Sequence, residues 1–169
     1  MDIGLADAVT CPWPAENIPD ADSLFKRVRR TEVADDGWPK LNVFVNRGST
    51  DLPDVRPGLS TDWSKYSTPE QTRARSRRAA PEEYGVIFFI VGDVRELPFQ
   101  EVEHTPVCRD PELADDPNNR AHTDIFGPKT RAELAAIISD DEAEARGQSL
   151  EIRAELHLMC NWLIPPPSG

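Results

Sequence analysis

The sequence has little cysteine and no long apolar run. Its three cysteines, Cys11, Cys108 and Cys160, are widely spaced and form no CxxC pair, so the sequence predicts neither a disulfide framework nor a zinc site with closely paired ligands. The apolar run at 86–91 is far shorter than a membrane span. The N-terminus has no basic segment followed by an apolar stretch, as a secretory signal has. We therefore expect a cytoplasmic protein with no bound metal and no membrane partner.

Positive charge is also scarce. Lys and Arg total 19 against 30 Asp and Glu, which gives a net charge of -11. Such a field repels DNA and RNA at long range and favours solubility. It argues against general coating of nucleic acid and is compatible with a partner that presents a basic face.

The common nucleotide-binding and hydrolytic motifs are missing as well. The chain contains no Walker A, GxGxxG, GxSxG or HExxH sequence. These motifs mark phosphate loops, dinucleotide sites, nucleophile elbows and zinc proteases. No resident cofactor is expected from the motifs.

Proline, by contrast, is abundant. There are 16 prolines in 169 residues, against roughly 5% in an average protein, so many connections are stiffened rather than helical. Apolar patches at 86–91, 134–138 and 156–164 supply a core. We expect an α+β fold with a small central sheet, two or three helices and long, ordered, proline-rich loops. The expected organisation is a proline-rich arm at 1–22, a single domain at 23–164 and a tail at 165–169.

Local patterns predict where the elements lie. The run YGVIFFIVGDV, bounded by glycines, predicts a strand buried on both faces near the sheet centre. Thr68 or Ser67 before a Pro–Glu pair predicts a capped helix start. The predicted strands are 41–45, 84–94 and 100–107, with a short strand or turn at 121–126. The predicted helices are a turn or helix at 24–30, then 69–78 and 131–146 after Thr130. The apolar pattern at 149–163 fits a helix and a strand alike, and its residue types favour the helix.

Two histidines adjoin predicted strands and give the first candidate site. If those strands are neighbours, His104 and His122 reach one cleft beside Glu101, Glu103 and Asp124, and an imidazole with carboxylates suits acid–base catalysis. The alternative is that each histidine hydrogen-bonds loop backbone. A metal site that adds Cys108 matches no standard zinc spacing.

Two basic clusters give the second candidate site. Positions 26–30 form one, and the other lies on or before the 69–78 helix, where Arg73 and Arg77 are candidate phosphate ligands. Arginine makes bidentate contacts with phosphate, which favours a nucleotide or short RNA. Pairing of these arginines with glutamates is the alternative.

The order of short motifs from 24 to 127 resembles a loose group of small bacterial proteins. The shared pattern is an LSV string, a Thr–Pro–Glu helix start, a Gly–Val strand and a late NPAH string. In this chain the corresponding strings are LST, TPE, YGV and NRAH, and Arg120 stands where that group tends to have proline.

A more distant resemblance is to the ADP-ribosyltransferase fold, especially RNA 2′-phosphotransferases. It rests on a basic segment, an LS-x-D string, a short helix and an apolar strand that ends in Val–Gly–Asp. The chain lacks the His–Gly–Thr string of the phosphotransferases. The resemblance implies these residues: Arg27 or Arg29 for contact with NAD, Ser60 and Asp62 of the LS-x-D string, and Glu101 or Glu103 for polarising the nicotinamide ribose.

Two functions follow as hypotheses. The first is a bacterial or phage binding component, encoded in a defence or regulatory operon, that binds a protein partner or a second copy of itself. The second is a small ADP-ribosyltransferase-like or RNA-end-processing enzyme that uses NAD or a phosphorylated substrate. The enzyme requires the two histidines and a carboxylate in one pocket, whereas the binding protein requires an apolar surface patch.

Overall fold

The computed structural model describes residues 11–45, 56–76, 78–108, 118–135 and 149–166. The strands are β1 (Ser23–Arg29), β2 (Gly58–Trp63), β3 (Tyr84–Ile90), β4 (Glu101–His104), β5 (Val107–Cys108), β6 (Asn118–Asn119), β7 (His122–Phe126) and β8 (Asn161–Ile164). The α-helices are α1 (Pro69–Ala74), α2 (Val91–Arg95), α3 (Arg131–Ala135) and α4 (Leu150–Met159). Short 3₁₀ turns occupy Arg30–Glu32, Leu41–Phe44 and Pro81–Glu83.

Six strands form one antiparallel sheet in the order β4-β7-β2-β1-β3-β8, and β5 pairs with β6 as a separate two-stranded ribbon. The α+β prediction is therefore confirmed. No helix in the described part of the chain is long and apolar enough to cross a membrane.

One face of this sheet carries the hydrophobic core. Side chains alternate between faces along a strand, and one set is fully buried on successive strands. This set includes Leu24, Leu59, Phe89, Val102 and Ile125. Helix α4 and the 41–44 turn pack together, and they contribute Leu156 and Phe44 to the same cluster. We call this side the core face and the other the outer face.

The segment after Ser23 is a strand, so the prediction of a turn or helix there is wrong. Leu24 and Val28 are both fully buried, a spacing that fits one face of a helix and also alternate positions of a strand. Pairing with β2 on one side and β3 on the other decides in favour of the strand.

The predicted strand at 41–45 is also wrong, because the structure has a 3₁₀ turn there. The consecutive residues Val43 and Phe44 are both buried. A strand would send them to opposite sides, whereas the turn lets both enter one core.

The strand predicted at 84–94 ends at Ile90, and α2 follows. It is the fifth of six strands rather than a central one. Helix α1 begins as predicted: Thr68 Oγ1 accepts the Gln71 N–H, and Gln71 Oε1 accepts the Thr68 N–H. It ends at Ala74, earlier than predicted.

The predicted strand at 121–126 is confirmed as β7, and the one at 100–107 divides into β4 and β5. The C-terminal helix is confirmed only as far as Met159, after which β8 begins. The helix predicted at 131–146 begins with α3. The rest of that prediction, 136–146, lies outside the described residues.

Residues 11–22 lie against the body of the domain. Ile18 is 3% exposed and belongs to the core cluster, and Arg95 bonds both the Ile18 carbonyl and the Asp20 carboxylate. Cys11 is joined to Cys108 by a disulfide, and Cys160 is free and buried. The sequence analysis anticipated no such bond.

Candidate functional site

The outer face carries a row of polar side chains across three strands. Ser60 of β2 lies opposite Asp124 of β7, and Asp124 lies opposite Glu103 of β4. Residues directly opposite in an antiparallel pair share a face. By alternation His122 lies on the same face, beside this row.

Three residues of this face, Ser60, His122 and Asp124, form one hydrogen-bonded group with Thr105, which follows β4. We call these four residues the Ser60–His122 cluster. His122 Nε2 lies 3.3 Å from Ser60 Oγ. Its Nδ1 lies 3.0 Å from Thr105 Oγ1 and 2.9 Å from the Thr105 carbonyl oxygen. Thr105 Oγ1 is 2.7 Å from Asp124 Oδ2.

These partners assign the His122 tautomer. A carboxylate only accepts, so the Thr105 hydroxyl gives its proton to Asp124. The Thr105 oxygens then accept from His122, which places the ring proton on Nδ1. The lone pair of Nε2 therefore faces the Ser60 hydroxyl, as a general base requires.

Asp124 occupies its place because residue 58 has no side chain. A Cβ on Gly58 would lie 2.4 Å from Asp124 Oδ1 and 2.8 Å from Asp124 Cβ. The carboxylate lies 3.8 Å from His122 Nδ1, too far for a hydrogen bond. Thr105 thus bridges the two groups.

His104 is not part of this cluster. It lies opposite Thr123 on the core face, is 3% exposed, and both ring nitrogens are engaged. Nδ1 accepts the Glu16 N–H at 3.0 Å, so Nε2 carries the proton that is donated to the Arg120 carbonyl at 2.6 Å. The two histidines lie on opposite faces, so they do not form the shared cleft that the sequence analysis expected.

Glu101 and Glu103 do lie on the outer face, and both are exposed. Arg56 Nη2 lies 2.8 Å from Glu101 and 3.7 Å from Glu103, and the guanidinium lies over the Phe126 ring at 5.0 Å. Arg56 therefore neutralises part of the charge beside the Ser60–His122 cluster.

Asp62 is buried under α1 and has a structural environment. Its Oδ2 accepts from Thr72 Oγ1 at 2.8 Å and Arg75 Nε at 3.0 Å, and its Oδ1 accepts from Asn119 at 2.7 Å. A carboxylate with three donors ties β2, α1 and β6 together. None of these three bonds directs the Asp62 carboxylate toward Ser60.

Strands β1 and β2 pair only at Leu24–Trp63 and Phe25–Asp62. No further register pairs join the two strands beyond that point among the described residues, and we call this stretch, Lys26–Arg29 beside Gly58–Thr61, the β1–β2 gap. Continuing the register would place Arg27 opposite Ser60, and Lys26 Nζ reaches across to the Ser60 carbonyl at 3.4 Å. Arg29 lies further along β1 on the same face as Arg27 and is exposed.

Two described arginines of the second basic cluster, Arg73 and Arg75, bond β3, β2 and Ser67. Arg73 Nε donates to the Tyr84 carbonyl at 3.0 Å and fastens α1 to β3. Arg75 bonds Asp62 and Ser67. Arg77 lies outside the described residues.

No group of three or more His, Cys, Asp or Glu among the described residues could hold a metal ion. No family model, no curated protein and no solved structure matches this chain. The assignment of a function therefore depends on the site itself.

Sequence reasoning missed Thr105, Arg56 and the Cys11–Cys108 bond. Thr105 follows the histidine in the string EHTP, and nothing in that string indicates that its hydroxyl bridges two side chains of another strand. The disulfide joins positions 97 residues apart, a pairing that cysteine spacing alone cannot specify.

Proposed function

We propose that this chain is a small enzyme that cleaves NAD on the outer face and transfers its ADP-ribose group to water or to another hydroxyl. The proposal adopts the ADP-ribosyltransferase-like hypothesis without its requirement for two histidines in one pocket, because His104 lies on the opposite face. It moves the site to the Ser60–His122 cluster, which has one histidine and one carboxylate. The observation that carries it is the placement of His122 Nε2 beside Ser60, next to a gap bordered by Lys26 and Arg27.

The charges around the cluster suit such a substrate. Arg27 and Arg29, on the outer face of β1, supply guanidinium groups for the pyrophosphate, which they bind bidentately. Asp124 and Glu103, on the adjoining strands, supply negative charge beside the ribose. Negative groups stabilise the oxocarbenium-like transition state of glycosidic cleavage.

The proposed cleavage of NAD breaks one bond, forms one bond and transfers one proton. The carbon–nitrogen bond between ribose and nicotinamide breaks, and its electron pair leaves with neutral nicotinamide. The oxygen of water or an acceptor hydroxyl bonds to the same ribose carbon. His122 Nε2 accepts the proton that this oxygen loses, and Thr105 holds the ring for it.

Nicotinamide release from NAD tests the proposal. The purified chain is incubated with NAD, and nicotinamide and ADP-ribose are separated by chromatography. We expect turnover in the wild type and a loss of about 100-fold in Asp124→Asn. Asp93→Asn is the matched control, since Asp93 is an exposed carboxylate on α2. Absence of both NAD binding and nicotinamide release would contradict the proposal.

A binding function is the second candidate, and exposed apolar side chains favour it. Leu150 and Leu158 of α4 are 58% and 76% exposed, and Leu163 of β8 is 43% exposed. Among the tryptophans, Trp38 is 39% exposed, whereas Trp13 and Trp162 are half-buried.

Self-association tests this second candidate. We expect Leu158→Glu to abolish any dimer seen by sedimentation equilibrium, with Glu155→Lys as an exposed control on the same helix. A wild type that stays monomeric at high concentration and enriches no partner in a pull-down from its native host would count against the binding function.

A further inference from the structure

The N-terminal arm holds the short segment that carries Thr105. At one end of this segment the Glu16 N–H bonds His104 Nδ1 at 3.0 Å. At the other end Cys11 is bonded to Cys108. Between these two attachments lies Thr105, whose hydroxyl and carbonyl both contact His122.

Thr105 joins the arm-bound segment to the Ser60–His122 cluster through its hydroxyl and its carbonyl. Its backbone N–H also bonds the His122 carbonyl at 3.0 Å. Any displacement of the segment therefore moves both oxygen atoms that hold the ring proton on Nδ1. Loss of that orientation allows the other tautomer, in which Nε2 carries a proton and cannot act as a base.

We infer that Thr105 is the positioning residue for His122 and that the Cys11–Cys108 disulfide controls it, so that thiol reductants weaken the site. The catalytic consequence rests on the proposed function, whereas the effect on the His122 ring does not. In the redox step a dithiol reductant supplies two electrons. The Cys11–Cys108 bond breaks, both sulfurs become thiols, and the reductant is oxidised to a disulfide.

Reduction is expected to act locally. The rest of the arm keeps attachments that contain no sulfur: Glu16 with Lys65 and Tyr66, and Asp20 with Arg95. Ile18 remains in the core. The bond joins the first described residue of the arm to the outer end of β5, a strand that pairs with β6 over two residues.

The third cysteine does not compete in this chemistry. Cys160 is 1% exposed, and burial raises the pKa of its thiol to about 11. The thiolate is the form that attacks a disulfide, and at neutral pH Cys160 remains a buried thiol. Exchange is therefore confined to Cys11 and Cys108.

Nitrogen NMR of the three histidines tests the inference on the full chain labelled with ¹⁵N-histidine. In the oxidised protein His122 should show the Nδ1–H pattern. Addition of dithiothreitol should shift its two ring nitrogens toward a tautomer mixture and leave His157 on α4 unchanged. The double variant Cys11→Ser with Cys108→Ser should reproduce the shift without reductant.

Two further variants test Thr105 with the disulfide intact. Thr105→Val should shift His122 in the same direction as reduction but by less, because it removes the hydroxyl and keeps the carbonyl acceptor of Nδ1. Thr105→Ser should not shift it. Alkylation followed by mass spectrometry confirms that both cysteines have been reduced. If the His122 signals are unchanged in that reduced protein, the inference is overturned. An unaltered His122 in Thr105→Val, or global unfolding on reduction, would also overturn it.

Activity separates this inference from the proposed function. If His122 responds to reduction but no nicotinamide is released from NAD, the proposed function fails and the inference stands. If NAD is cleaved equally fast in the oxidised and reduced protein, with His122 unchanged, the inference fails and the proposed function stands.

Discussion

His122 and His104 lie one strand apart, yet their rings carry their protons on opposite nitrogens. His122 has Nδ1–H fixed by Thr105 and directs Nε2 at Ser60, 3.3 Å away. His104 has Nε2–H fixed by the Arg120 carbonyl and uses Nδ1 to accept from the Glu16 backbone. One imidazole presents an unprotonated Nε2 to Ser60 on the outer face, and the other bonds the backbone of Glu16 and Arg120.

Stability and activity should therefore separate between the two histidines. His104→Phe preserves ring packing against Trp63 and Tyr66 but leaves the Glu16 N–H and the Arg120 carbonyl without partners, at a cost of about 2 kcal/mol. Urea unfolding measures this loss. His122→Ala should change the free energy of unfolding by less than about 1 kcal/mol. A larger loss of stability in His122→Ala than in His104→Phe would contradict the assignment.

Gly58→Ala should displace the Asp124 carboxylate, since the added Cβ would lie 2.4 Å from Asp124 Oδ1. We expect a cost of about 1–3 kcal/mol from overpacking and a change in the His122 ring signals. Gly37→Ala is the control: its Cβ meets no atom within 4 Å, but its φ of +85° makes alanine strained. The control should lose stability and leave His122 unchanged.

Asp62→Ala should destabilise the domain by about 3 kcal/mol, because it leaves Arg75 without its carboxylate and Asn119 without its acceptor. Glu103→Ala removes an exposed carboxylate on the same face and should cost less than about 0.5 kcal/mol. Denaturant unfolding of both variants measures the difference. Equal costs would show that the Asp62 network does not fasten α1.

Acid should release the arm near Glu16. The hydrogen bond from Lys65, then that from Tyr66, lowers the pKa of Glu16 below its usual range. A lowered folded-state pKa gives stability that is present above the ordinary glutamate value of about 4.3 and is lost as pH falls through the folded value. Protection of the arm amides against exchange, relative to the intrinsic rate at each pH, should fall in that acid range, and Glu16→Gln should remove most of this pH dependence.

The same pair predicts an alkaline limit. The hydrogen bond to Glu16 raises the pKa of Lys65 above its usual range. The contribution of Lys65 to the stability of the folded protein is therefore fully present below the ordinary lysine pKa. It is lost as pH rises through the raised pKa of the folded state. Lys65→Met should abolish this alkaline loss, and an unaltered profile would show that the pair does not hold the arm.

The sequence predicted those helices and strands that are determined by their own capping residues and apolar pattern. The Thr68 cap, β7 and the start of α4 followed from capping residues and apolar patterns in the sequence. For other segments, burial in the tertiary structure determined whether they formed a helix, a strand or a turn. Leu24 and Val28 fit a helix or a strand until β3 pairs with them, and Val43 and Phe44 resemble a strand until both must enter one core.

The candidate site was predicted in composition but not in geometry. Ser60, His122, Glu103 and two arginines of β1, Arg27 and Arg29, do share the outer face. His104 was misplaced because a histidine in a polar string gives no sign of which strand face it occupies. That face depends on register, and a shift of one residue reverses it.

Nicotinamide release by His122→Ala, compared with His157→Ala, tests the central claim most directly. His157 lies on α4, where its ring contacts Trp38 and Phe44 on the core side of the sheet. The account predicts NAD cleavage by the wild type and by His157→Ala, and a loss of at least about 100-fold in His122→Ala with the fold intact. Equal rates in both histidine variants, or no cleavage by the wild type, would contradict it.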